Sequence, residues 1–260
     1  MKKLLILLFL SVITAAGAMA ADIRFVQTDG VFLDSYNENS VKNFEKLISR
    51  INSEKNVSFT VFTGNNIAKP DRQNLKCFLK KANRLKMPYY VVLGQKDVNK
   101  KKLLGKADYM KLVRKKNWAH KKFKTPNYVF VKKGLVFIVA DGSKEVIPIS
   151  SGYYRPEVLE WIDKKLDKYK NKNVVILQHY PLVPPCEKED SYTFKAENYL
   201  QMLSGHKNVK AVISGHFGTN KEQEVDGVMH ISTANAPAYR IIDVTDYDSD
   251  HPIFWSTIRE

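Results

Sequence analysis

VKAVISGHFG, residues 209–218, is an apolar, β-branched run that stops at a glycine, offers a histidine and meets a second glycine. A run of this length and composition reads as a strand buried on one or both faces, and the Gly-His-x-Gly after it as a tight turn. An imidazole held at such a strand end is available to a metal or a substrate, although an ordinary turn has the same pattern. Whether His216 has company decides how the rest of the chain is read.

Similar short runs recur. IRFVQ (23–27), VSFTVFT (57–63), YYVVL (89–93), YVFV (128–131), LVFIVA (135–140), VVILQ (174–178), GVMHIS (227–232), YRIIDV (239–244) and IFWSTI (253–258) all carry strand composition. Between them, residues 40–52 space Val41, Phe44, Leu47, Ile48 and Ile51 along one helical stripe, with Ser40 and Asn39 as cap candidates. Residues 71–85 follow Pro70, and residues 156–169 open with Pro-Glu and repeat Leu159, Ile162 and Leu166. Helix and strand alternate through the first two thirds and strands crowd the end, which predicts a layered α/β domain. No repeat, low-complexity tract or long linker divides residues 21–260, so they are read as one domain.

The strand ends carry the chemistry. IRFVQ runs into Thr28-Asp29-Gly30, VSFTVFT into Gly64-Asn65-Asn66, and YYVVL into Gly94-Gln95-Lys96-Asp97. VVILQ runs into His179-Tyr180-Pro181, and VKAVIS into Gly215-His216. In α/β sheets the loops at the carboxyl ends of strands converge on one crevice, where ligands bind. Five such ends in one chain point to a shared site.

In this order and spacing the chain resembles the calcineurin-like metallophosphoesterases, whose motifs run Asp-x-His, Gly-Asp, Gly-Asn-His-(Asp/Glu), a lone His and Gly-His-x-His. The resemblance implies a sandwich of two mixed β-sheets flanked by helices. Matched position by position, Asp29 is retained but Val31 stands where the first histidine belongs. Asn65 replaces the bridging aspartate, Gln95 the asparagine and Lys96 the acid histidine. Asp97, His179 and His216 match, and Gly218 takes the place of the last histidine.

Those substitutions matter chemically. A bridging carboxylate offers anionic oxygens to two ions about 3.5–4 Å apart, whereas Asn65 has one neutral carbonyl oxygen. The resemblance therefore implies a partial metal site of Asp29, Asn65, Gln95, His179 and His216, taking one divalent ion (Mn, Zn, Fe or Mg) or none. Lys96, with Asp97 beside it, stands in the catalytic acid's place. A lysine of ordinary pKa near 10.4 is a poor proton donor at neutral pH but a competent phosphate cation.

Lys2 and Lys3, the apolar stretch 4–16 and Ala18-Met19-Ala20 form the n-region, h-region and cleavage site of a secretory signal over residues 1–20. Export is therefore expected, with cleavage near Ala20. The apolar stretch is short for a membrane span, which needs about 20 residues. With Lys2 and Lys3 set aside, 40 basic side chains face 27 acidic ones. Residues 76–133 concentrate 19 of the basic ones against only Asp97 and Asp108, leaving the remainder slightly acidic. Such a block suits acidic polymers or a membrane surface, or is a solvated lysine-rich face. Lysine outnumbers arginine and aromatics are not interleaved, which disfavours sequence-specific nucleic-acid reading. Cys77 and Cys186 could pair in an exported protein, but spacing cannot show that they meet.

Three functions remain open. One is an exported family member with a degenerate two-metal site, impaired in catalysis, whose cleft binds phosphate-containing molecules or one metal. Another is a working one-metal phosphomonoester or phosphodiester hydrolase. The third is an envelope protein that binds polyanions through residues 76–133. His120, His206 and His251 read as surface residues, and His230 as a packing histidine.

Overall fold

The computed structural model describes residues 23–102, 104–146, 150–186 and 192–260. The signal-like segment 1–20 lies outside them. Two mixed sheets stack face to face with helices on both outer sides. The first sheet takes β1 (Ile23–Thr28), β2 (Phe59–Phe62), β3 (Tyr89–Val91), β10 (Tyr239–Thr245) and β11 (Ile253–Arg259), in the order β11-β10-β1-β2-β3. The second takes β4 (Tyr128–Lys132), β5 (Leu135–Val139), β6 (Val174–Leu177), β7 (Val209–Ser214), β8 (Lys221–Val225) and β9 (Val228–Ser232), in the order β4-β5-β6-β7-β9-β8.

Strand periodicity explains the layering. On β1, Phe25 faces the second sheet while its neighbour Val26 faces the helices, and both are fully buried. The space between the sheets is filled largely by rings. Phe25 stacks on Phe59 at 4.8 Å, Phe137 meets both edge-on, and Phe130 stacks on Phe137 and on Tyr90. Outside the first sheet lie α1 (Glu38–Ser53), α2 (Arg72–Ala82) and α3 (Lys106–Lys116). They contribute Phe44, Leu47, Ile48, Leu75, Phe78 and Tyr109 to one cluster with Val26, Phe62 and Val91. Outside the second sheet lie α4 (Pro156–Lys168) and α5 (Ala196–Ser204), packing Ile162, Leu166 and Tyr199 on Ile138 and Ile176.

The strands and three helices expected from sequence are present, and the differences have local causes. The cap of α1 is Asn37, whose side chain accepts the Ser40 N–H; Ser40 Oγ instead accepts from Asp34 N. α3 and α5 carry no side-chain cap and short apolar stripes, and β8 is a polar edge strand, so none of the three stood out in the sequence. His120 is not a surface residue. It is fully buried, with Nε2 accepting from Val91 N at 3.3 Å, and burial pushes its pKa down to about 3. Cys77 and Cys186 are both free thiols. No helix among the described residues is long and apolar enough to cross a membrane.

Candidate functional site: a cleft at the carboxyl strand ends

All five parallel strands that feed the site end on the same side, and their loops meet. The Asp29 carboxylate, fully buried, accepts from Thr63 Oγ1 at 3.0 Å and from the backbone N–H of His216 at 2.9 Å. Its Oδ1 lies 3.3 Å from His179 Nδ1. This packing needs Gly215, because a Cβ there would fall under 3.0 Å from the carboxylate. His216 adopts φ +76°, a conformation held by that N–H bond to Asp29.

His179 sits at the centre and is fully buried. Its Nδ1 is 2.7 Å from Thr63 O, and its ring lies over Gly64, where φ +121° and the absence of a side chain let it approach. Its Nε2 is 2.8 Å from Gln95 Oε1 and 3.2 Å from His216 Nδ1. A carbonyl can only accept, so Nδ1 carries a proton toward Thr63 O. The extra methylene of glutamine over asparagine is what brings the amide onto the imidazole.

Asn65 is buried, with φ +51°, and its Oδ1 accepts the Lys96 N–H at 3.0 Å. Asp97 lies deeper and faces inward. Its carboxyl accepts from Gly94 N at 2.8 Å, Ile67 N at 3.1 Å and Asn66 Nδ2 at 3.1 Å. Burial nevertheless pushes its pKa up to about 7, against the opposing pull of those N–H groups. Among the described residues, Asp97 and the neighbouring Lys96 ammonium form no ion pair with each other. Lys96 is exposed at the rim, and Asp97 locks the loop from below.

The outer half of the site has a different occupant. Val31 is half-buried and packs into the helix-side core. Between Gly30 (φ +54°) and Gly218 (φ +67°) lies the side chain of Asn235, which a Cβ on either glycine would meet at under 3.0 Å. Asn235 was not among the sequence candidates. It follows β9 in a loop joined to Asp29 by an isolated bridge, 206 positions from its partner, and no local motif marks it.

These residues do not fit a two-ion centre. Among the described residues Asp29 is the carboxylate seen against His179, and each of its oxygens accepts a hydrogen bond. Asn65 spends its carbonyl on a backbone N–H, and an amide fills the outer half. Among the described residues no group of three or more His, Cys, Asp or Glu is placed to hold a metal ion.

Comparison with known proteins gives the same picture of the fold. The structure aligns with a dimetal phosphatase from Danio rerio at TM-score 0.67 and 16% identity, covering 90% of this chain and 98% of that one. It aligns with TT1561 of Thermus thermophilus at TM-score 0.61 and 13% identity, covering 90% and 98%. It also aligns with GAP50, the anchor in the inner membrane complex of Plasmodium, at TM-score 0.58 and 13% identity, covering 91% and 88%. Identities this low establish fold alone. A sequence comparison with curated proteins finds no match. The sequence profile of calcineurin-like phosphoesterases matches residues 23–219, and the chain belongs to that family.

Proposed function

We propose that this chain is an exported member of the divalent-metal-dependent calcineurin-like phosphoesterases in which two-metal hydrolysis is impaired and the cleft binds a phosphate-containing molecule or a single ion. The observation that carries this reading is that amides, Asn65 and Asn235, stand where a second ion would need anionic donors, beside an Asp29 carboxylate already hydrogen-bonded through both oxygens. Asp29 is bonded to Thr63 and His216, Asn65 to the Lys96 N–H, and Asn235 stands between Gly30 and Gly218. Without a shared carboxylate, no described side chain neutralises two divalent ions at about 3.5–4 Å, nor the charge that builds on a transferring phosphoryl group. Lys96 at the rim supplies a cation for phosphate, and export follows from residues 1–20 with cleavage near Ala20.

One distance supports a second reading, a one-metal hydrolase acting on phosphomonoesters or phosphodiesters. Imidazole nitrogens bound to a tetrahedral ion at about 2.0–2.1 Å lie about 3.3 Å apart. His179 Nε2 and His216 Nδ1 are 3.2 Å apart. That ion would be held by these two nitrogens and the Gln95 amide oxygen, all neutral, which favours weak binding.

Assays of p-nitrophenyl phosphate and bis(p-nitrophenyl) phosphate with Mn, Zn, Fe, Ni and Mg test both. We expect no metal-dependent turnover above the protein-free metal control. Turnover that His179→Ala and His216→Ala each abolish would replace the first reading by the second.

A further inference from the structure

The end of the domain opposite the cleft has features the cleft does not explain. It is formed by the starting ends of the parallel strands, closed by the β10–β11 turn. Asn173 Nδ2 donates to Tyr247 O and Ser249 O, and Lys210 Nζ to Asp250 O. Two of the three tryptophans lie there, both largely exposed. Trp255 (62% exposed) sits on the edge strand β11, in register with Asp243 and hence with Arg24 near the start of β1. Trp118 (66% exposed) follows α3, where Asn117 Nδ2 donates to the O of Tyr89, the first residue of β3. β11 and β3 are the two edges of the five-stranded sheet, so the tryptophans lie by opposite edges of a sheet about 19 Å across, four strand spacings.

Between them, β1 is the middle strand, and the described chain enters it at Ile23. Ile253 adds a further exposed apolar side chain beside Trp255. Lys55, Lys86, Lys170, Lys172 and Lys207 are all exposed at this end and in no ion pair among the described residues. Asp226, Asp248 and Asp250 share the 870 Å³ cavity of this end with Lys170, Lys172 and Lys207, so the lysines are partly offset there. Exposed Trp rings and lysines outside any described ion pair at one end of the domain suit the headgroup layer of a bilayer, where amphipathic rings and cations both find partners.

We propose that this end docks on an anionic phospholipid bilayer, with Trp118 and Trp255 entering the interface and the cleft facing away from the lipid. The proposal is independent of what the cleft does.

The chain from Ala21, which retains every described strand and helix, is sedimented with phosphatidylglycerol–phosphatidylcholine vesicles and with phosphatidylcholine alone. Trp emission is followed in a Trp161→Phe background so that only Trp118 and Trp255 report. We expect binding to the anionic vesicles with a blue shift, and loss of co-sedimentation with them in Trp118→Ala/Trp255→Ala. At about fivefold per lysine near such a surface, Lys170→Glu/Lys172→Glu/Lys207→Glu should weaken partitioning about 100-fold or more. Lys100→Glu/Lys101→Glu, near the cleft, should leave it unchanged. Equal failure to bind both vesicles, binding insensitive to the triple reversal, or binding to soluble heparin with no vesicle-induced shift would each overturn the proposal.

Discussion

Gly215→Ala tests whether Asp29 is a structural anchor. Gly215 closes β7, and a methyl there would fall within the Asp29 carboxylate. The carboxylate must then move, losing the Thr63 Oγ1 bond of 3.0 Å and the His216 N–H bond of 2.9 Å. A hydrogen bond to a charged group contributes about 1.5–3 kcal/mol, so the two together come to roughly 3–6 kcal/mol. That is a large share of a typical domain's 5–15 kcal/mol. Urea unfolding followed by far-UV circular dichroism, with an unchanged m-value, measures it. Asp29→Asn is the companion. It keeps the shape but turns an NH2 toward one of the two donors, at a smaller expected cost of about 1–3 kcal/mol. A Gly215→Ala protein within about 1 kcal/mol of the parent, or less affected than Asp29→Asn, would show that the carboxylate is free to move and refute its anchoring role.

His120 gives a pH signature. Its folded pKa is down to about 3 against an ordinary 6.5, so its contribution is complete above pH 6.5 and is lost as pH falls toward 3. The parent's advantage over His120→Phe should shrink by a few kcal/mol between pH 7 and pH 4 in paired urea titrations; a constant difference would contradict this. The raised Asp97 pKa acts oppositely, favouring the fold below pH 3.8 and losing that contribution as pH rises through about 7, but it is common to both proteins and cancels. Lys106→Met should cost about 3–5 kcal/mol, because it strands the buried Asp141 carboxylate now held at 2.6 Å. Val31→His/Asn65→Asp/Gly218→His should not recover two ions per chain by elemental analysis unless Asn235→Gly is added, since a Cβ at Gly218 would lie 2.9 Å from Asn235 Nδ2.

Most of the fold was legible because each strand except the polar β8 is a compact apolar, largely β-branched or aromatic run, and because α1, α2 and α4 carry full apolar stripes. α3 buries only Tyr109, Met110 and Val113 among lysines, so its period was hidden by charge. His120 looked exposed because its neighbours are lysines; only the fold shows that the Asn117–His120 turn tucks the ring under β3. The Asp29, Asn65, Gln95, His179 and His216 group was legible from residue type at strand ends, and the structure brings these five together. What sequence could not show was what each polar atom is already bonded to. It also could not show Asn235, whose position depends on a contact across most of the chain.

The most direct measurement of whether the cleft seats a pair of ions is an anomalous difference map from crystals soaked in Mn²⁺. The expected map has at most one peak, beside His179 Nε2 and His216 Nδ1. Two peaks about 3.5–4 Å apart, sharing Asn65 and flanked by Asp29, would contradict it.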